Sequence, residues 1–318
     1  MVSQNAPRAL NAEIAPILRS VATVVVGKPE AVEQTLVAVL AGGHLLVEDV
    51  PGVGKTTLAR ALARSVGGSF SRVQCTPDLL PSDVTGVHVL DQKNGGFVFQ
   101  QGPIFANIVL VDELNRATPR TQSALLEAME ERQVTLEGTT RPLPSPFLVI
   151  ATQNPIELEG TFPLPEAQLD RFLLRLRIGY PDERDEQELV DRFASATPLD
   201  EVHPVLDLQH LSTLIRAVRD IRVEPTIRNY VVALVRATRE HTSIRLGASP
   251  RATLALYHAA QALAAIRGRT YVVPDDVKAL AGPVLGHRLL LTSQARLRGR
   301  SELSILDEIV ASTPVPVE

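Results

Sequence analysis

The stretch Glu48 to Thr57 reads Glu-Asp-Val-Pro-Gly-Val-Gly-Lys-Thr-Thr, and its flanks make it the strongest constraint on the fold. Before it runs Leu45-Leu46-Val47, short and apolar like a buried strand. After it Leu58, Leu62 and Val66 recur at helical spacing. Strand, glycine turn and helix together make the local architecture that cradles a triphosphate. Gly52 and Gly54 leave room for backbone N–H groups to converge on phosphate oxygens at a helix start. Lys55 can neutralise the terminal phosphates, and Thr56 can offer its hydroxyl to a magnesium ion. Pro51, Gly52, Val53, Gly54, Lys55, Thr56 and Thr57 therefore form the candidate nucleotide cradle. The strict phosphate-loop pattern has glycine five residues before Gly54, where this chain has Asp49. An ordinary glycine turn with an incidental Gly-Lys-Thr is the competing reading of the stretch alone.

A second stretch supplies what a phosphate loop lacks. Ile108-Val-Leu-Val111 reads as a buried strand delivering Asp112 and Glu113 at its carboxyl end, where ligands of open α/β sheets bind. Asp112 can complete a magnesium shell with Thr56, and Glu113 can orient and polarise an attacking water. Taken alone, the pair could equally be an acidic helix cap after a buried strand. Phe147-Leu-Val-Ile150 is a further core strand, followed by Ala151-Thr-Gln-Asn154-Pro155, so Asn154 is expected at the same sheet edge. An amide there can hold water and γ-phosphate. A plain strand-ending Asn-Pro turn is the alternative.

Around these stretches, Val32, Leu36, Val39 and Leu40 share one face of a helix running from Pro29 to the Gly42-Gly43 stop. Ser71 to Thr76 reads as a short strand. Residues 77–104 hold Phe97 and Phe99 between two glycine clusters, which suggests an inserted hairpin, with a long surface loop as the alternative. Thr118-Pro119 opens a helix, and Val134 and Leu136 alternate into a second hairpin turning at Glu137-Gly138. After Tyr180-Pro181 the periodicity is helical only, with helix starts at Ser249-Pro250 and Pro274 and a cap at Ser301. We divide the chain at residue 181, into an α/β core over 1–181 and a helical lid over 182–318. Arg288, Arg296, Arg298 and Arg300 read as a solvated basic surface, with an acidic partner as the alternative.

Composition removes several classes. The 318 residues carry a net charge of −4 and only 4% aromatic residues with no Trp, so neither a charge lure nor base-stacking platforms favour nucleic acid. Cys75 is the lone cysteine, which rules out an intrachain disulfide and makes a reducing, cytoplasmic setting the expectation. Glu13 and Arg19 interrupt the amino-terminal apolar residues, so no membrane span is expected.

Asp112-Glu-Leu-Asn-Arg116, Thr121-Gln-Ser-Ala-Leu-Leu-Glu-Ala-Met129, Ala151-Thr-Gln-Asn-Pro155 and Pro165-Glu-Ala-Gln-Leu-Asp-Arg-Phe172 together resemble the MoxR-type ATPases of the AAA+ class. The resemblance runs from about residue 10 to 290. It implies an α/β core whose parallel sheet is flanked by helices, with hairpins inserted near residues 83 to 101 and before the Asn154 strand, and an all-helical lid. Within the family Asp49 is an ordinary phosphate-loop variant. Val26 and Gly27 fall where relatives contact adenine. Arg171 sits at the arginine-finger position, which enters a neighbouring subunit's site, and Arg251 matches the second sensor arginine, acting in cis or in trans. From the residues alone Arg171 could instead cap a helix or pair with Asp170, and Arg175 and Arg177 compete for the role. The resemblance further implies ATP and Mg2+, a homo-oligomeric ring of six, and a client protein, with partners bearing von Willebrand factor A domains. The function it implies is ATP-driven remodelling or assembly of partner proteins. A ring-forming nucleic-acid motor and a slow ATP-dependent binding switch are the alternatives.

Overall fold

Five short strands lie side by side and in parallel, and the three inner ones read as near-continuous buried apolar sequence, whereas the two edge strands carry polar residues in alternation. The structure is a computed structural model of the chain and describes residues 6–93, 95–155, 160–195 and 197–315. In chain order its strands begin with β1 (Leu45–Glu48), β2 (Phe70–Gln74), the pair β3 (Gly86–Asp91) and β4 (Gly96–Gln101), and β5 (Ile108–Asp112). The pair β6 (Gln133–Leu136) and β7 (Thr139–Pro142) follows, then β8 (Leu148–Gln153) and β9 (Leu174–Leu176). The main sheet has the order β2-β5-β8-β1-β9, every pairing parallel. All five carboxyl ends therefore open on one edge.

Successive residues of these strands feed two separate cores, as the two-residue period of a strand requires. Leu45, Val47, Ile108, Leu110, Leu148, Ile150, Leu174 and Leu176 face one layer, which holds the helices Pro29–Leu40 and Lys55–Ser65. Leu46, Val109, Val111, Val149 and Ala151 face the other, where the helix Pro119–Glu131 and Phe172 pack. The first core continues without a break into the second half of the chain through Leu211, Leu214, Leu256, Leu263 and Val277.

Both inserted segments are hairpins. A short helix, Pro81–Thr85, precedes β3 and β4, which pair antiparallel from Gly86 opposite Gln101 to Asp91 opposite Gly96. β6 and β7 close through a two-residue turn, Glu137 (φ 49°) and Gly138 (φ 79°), whose left-handed backbone suits the twist of a hairpin. The second half contains the helices Glu183–Ser195, Leu208–Val218, Pro225–Glu240, Pro250–Ile266, Pro274–Leu285 and Glu302–Ser312. Asp207, Ser249 and Ser301 cap three of them by accepting backbone N–H groups from His210, Ala252 and Ser304. A short antiparallel pair, β10 (Ile244–Leu246) and β11 (Leu290–Leu291), joins these helices, a detail too brief for periodicity to carry. Among the described residues no helix is long and apolar enough to cross a membrane.

Of the basic run, Arg296 and Arg298 are exposed as expected, whereas Arg288 departs from that reading. Arg288 is buried: its Nε donates to Asp170 Oδ1 at 2.7 Å, and its remaining nitrogens donate to the carbonyls of Phe172, Leu173 and Val284. Asp170 also accepts from Ser249 Oγ at 2.7 Å. This buried cation and its carboxylate fasten the second half to the end of the first.

Candidate active site

The phosphate loop takes the shape its glycines permit. Gly52 (φ 87°) and Gly54 (φ 89°) lie in the left-handed region, and Gly54 precedes the first turn of the helix Lys55–Ser65. A Cβ on either would meet nothing within 4 Å, so open space stands before the loop. Asp49, the departure from the strict pattern, is almost fully buried. Its Oδ1 accepts from Val50 N–H at 2.9 Å, and its Oδ2 accepts from both Ile178 and Gly179 N–H at 2.6 Å. The carboxylate thus ties the loop to the chain beyond β9, a tether that glycine could not make. Lys55 Nζ donates to the Asp49 carbonyl at 2.7 Å. Burial lowers the Lys55 pKa, while Asp49, Asp112 and Glu113 oppose that shift, which sets all three carboxylates within electrostatic reach of the ammonium.

Asp112 and Glu113 leave β5 beside this loop, oriented by residues that sequence reasoning did not single out. Thr152 is the keystone: its hydroxyl donates to Asp112 Oδ1 at 2.8 Å and accepts from Glu113 N–H at 2.9 Å. Asp112 Oδ2 takes a fork from Arg72, with Nη2 at 2.7 Å and Nε at 3.1 Å. Glu113 Oε2 accepts from Gln74 Nε2 at 3.0 Å and lies 3.4 Å from Arg116 Nε. Glu113 itself has φ 56°, an uncommon backbone for a residue with a side chain and a conformation that collects at functional sites. Arg72 and Gln74 alternate on β2, and a polar i, i+2 pair in a core strand was the signal available for them. Thr152 carried a signal too, two residues before Asn154 on β8. Asn154 follows that strand at the same edge and is buried.

A cavity of about 410 Å³ opens beside Gly52, Val53, Gly54 and Thr57. Val26 lines it, as do Leu189, Val190 and Phe193 of the helix Glu183–Ser195, so its apolar walls come from both halves of the chain. Gly27 (φ 70°) approaches Asp185 so closely that a Cβ would strike that carboxylate. Size and lining suit a nucleotide's base and sugar next to the phosphate loop.

The candidate arginines stand apart from that cavity. Arg171 Nε lies 3.0 Å from Glu130 Oε2, and Arg251 Nη2 pairs with Glu130 Oε1. One carboxylate holds both. Asp170 belongs to Arg288 and does not pair with Arg171, while Arg175 is held at 3.0 Å on Glu48, its side chain 14% exposed. Arg177, 61% exposed, lies 3.7 Å from the same carboxylate.

A phosphate loop and a pair of oriented carboxylates, sharing one edge of a parallel sheet under a helical lid, are the working parts of an AAA-class ATPase. Comparison with known proteins agrees. Residues 44–174 match the ATPase family associated with various cellular activities (AAA), and residues 236–309 match the AAA lid domain. The chain is 43% identical to Chaperone MoxR1 of Mycobacterium tuberculosis, over 92% of this chain and 80% of that protein. It is 50% identical to the uncharacterized protein YeaC of Bacillus subtilis, over 93% and 92%. A solved structure from Cytophaga hutchinsonii, assigned as an ATPase, superposes with a TM-score of 0.91 at 37% identity, covering 97% of this chain and 96% of that one. The chain belongs to the MoxR-type AAA+ ATPases, and the reaction it catalyses is hydrolysis of ATP. Membership implies a nucleotide bound with a divalent metal, and the donors fit one: a hydroxyl at the helix start in Thr56, a strand-end carboxylate in Asp112, and open space before the glycines.

Proposed function

We propose that this protein works as a homo-oligomeric ring, of six subunits as in the family pattern, that couples ATP hydrolysis to remodelling or assembling a partner protein in the cytoplasm. The observation that carries the ring is the pairing of Arg171 and Arg251 on Glu130, with neither arginine among the residues lining the cavity beside the phosphate loop. Two guanidiniums placed away from their own nucleotide cavity suit a neighbour's phosphate, and such cations are worth about 10³-fold or more in rate. Both act in trans in this reading. The proposed division between core and lid remains at residue 181.

Within each site Glu113 draws a proton from the attacking water as its oxygen bonds to the γ-phosphorus. The bond from that phosphorus to the β–γ bridging oxygen breaks, and ADP leaves with the electron pair. Lys55 neutralises charge on the terminal phosphates, the backbone N–H groups of Gly52 to Thr57 cradle them, and Asn154 holds water against γ-phosphate. A magnesium ion held by Thr56 and Asp112 supplies further charge neutralisation when bound. Val26 and Gly27 take the adenine side.

Support for a protein client comes from the β3–β4 hairpin, which leaves Val87, Val89, Leu90, Phe97 and Val98 exposed, Phe97 by 74%. The relative from Mycobacterium tuberculosis carries the name chaperone. A partner with a von Willebrand factor A domain is the form the family pattern suggests. Net charge of −4 and few aromatics weigh against nucleic acid. The test is to trap the Glu113→Gln protein with ATP: turnover stops, nucleotide stays bound, and a defined protein partner is retained in an ATP-dependent manner. Unchanged steady-state hydrolysis would refute the role of Glu113. Retention of nucleic acid alone, with salt-sensitive stimulation of the ATPase, would turn the reading to a nucleic-acid motor.

A further inference from the structure

Glu130 is the last carboxylate but one of the helix Pro119–Glu131, and each of its two oxygens takes one arginine. Two positive charges less one negative leave this cluster at +1. A guanidinium carries five N–H donors, so each arginine keeps donors for a second acceptor. The surroundings fix the cluster from both sides. Asp170, next to Arg171, accepts from Ser249 Oγ and from the buried Arg288. Ser249 caps the helix that carries Arg251 two residues later. Three elements thus meet here: the end of the helix Pro119–Glu131, the turn at Asp170 and Arg171, and the start of the helix Pro250–Ile266. Without Glu130, both guanidiniums lose the ion pair that holds them, and their mutual repulsion favours spreading.

The opposite end of the helix Pro119–Glu131 follows the short turn Leu114–Arg116 that leads from Glu113. Eleven residues at about 1.5 Å each put Glu130 roughly 16 Å along the axis from Pro119. Glu130 therefore stands at the end of the helix away from the turn that follows Glu113, and its ion-pair partners are the two arginines.

We propose that Glu130 is a positioning residue that holds Arg171 and Arg251 together as one two-armed cation for the neighbouring subunit's transferring phosphate. The inference rests on the reading of those arginines as acting in trans. It adds that they work as a pair, with a carboxylate of their own subunit setting their separation.

Full-length chains in verified mixed rings test it. Alone, Glu130→Gln and Glu130→Ala should lower kcat about tenfold or more, the scale of a misplaced catalytic group, with the KM for ATP within about threefold. Mixed with Lys55→Ala chains, which lack a working site of their own but present an intact Glu130 cluster, either variant should regain activity, because its own site now faces a proper pair. A merely structural role within the subunit would give no such recovery. The parallel mixture of Arg171→Ala with Lys55→Ala separates the two levels. Recovery there with none for Glu130→Gln would place Glu130 in its own subunit's site and overturn the proposal, leaving the trans arginines standing. Recovery in neither mixture would remove the trans reading and the proposal with it. A Glu130→Gln chain with unchanged kcat overturns the proposal directly.

Discussion

Replacing Asp49 with glycine would restore the strict phosphate-loop pattern, and the structure predicts that it harms the protein. The Asp49 carboxylate accepts three backbone N–H groups, two of them at 2.6 Å from Ile178 and Gly179, and is only 8% exposed. Val50 N–H can turn to water after the substitution. The other two donors lose a charged acceptor inside the fold, each at about 1.5–2.5 kcal/mol, so the loss is roughly 3–5 kcal/mol. At about 2.1 cal/mol/K per residue, a chain of 318 residues has an unfolding entropy near 0.7 kcal/mol/K, and Tm should fall by about 4–7 °C. Lys55 bonds to the Asp49 main-chain carbonyl, which glycine keeps, so the folded variant should still bind ATP. Calorimetry of nucleotide-free protein at fixed concentration measures the shift. A change below about 1.5 °C would refute the tether and leave Asp49 as a neutral variant of the loop.

Thr152→Val keeps the shape of the side chain and removes the hydroxyl that serves both Asp112 and Glu113; kcat should drop roughly 10- to 100-fold with ATP binding retained, and a kcat within threefold of the parent would contradict the keystone role. His44 is buried, with its Nε2 on the Met129 carbonyl and its Nδ1 accepting from Val149 N–H; burial, reinforced by Arg132, lowers its pKa to about 3. His287 is pushed well below the ordinary value by burial, reinforced by Arg288. Both rings are neutral when folded and take up a proton only on unfolding, so their contribution is complete above about pH 6.5 and is lost as pH falls; below that, unfolding free energy should decline by up to about 1.4 kcal/mol per pH unit for each ring. Denaturant titrations at pH 7 and 5 check this, and equal stabilities at the two would contradict it.

Local chemistry was legible in the sequence because it depends on neighbours. Strand, glycines and helix around Lys55, the carboxylates closing β5, and the hairpin turn at Glu137-Gly138 follow from residues a few positions apart. What escaped depends on which strands lie together. Thr152 meets Asp112 and Glu113 because β8 adjoins β5, and Arg72 reaches Asp112 because β2 adjoins β5 on its other side. No spacing rule encodes that order. Arg288 misled for the same reason: it was judged by its arginine neighbours, whereas its carboxylate, Asp170, lies 118 residues earlier. Glu130 went unremarked among three acidic residues on one helix, since its distinction comes from two arginines brought in by separate elements.

The same helix gives the site a direction. Ahead of its start, across the short turn Leu114–Arg116, lies Glu113, its left-handed backbone held by Thr152 and its carboxylate near Gln74 and Arg116; at its end lies the carboxylate that gathers Arg171 and Arg251. A left-handed backbone at a non-glycine residue costs about 1–3 kcal/mol and persists only while its surroundings impose it. A change at one end that altered that balance would be passed along a rigid element of three to four turns, to the cations proposed to serve the next subunit. In the proposed ring every subunit would be both donor and acceptor. Any free-energy coupling between the state of one nucleotide site and the placement of the arginines it supplies must act equally in reverse, so the neighbour's phosphate would bias the donor's own site through Glu130.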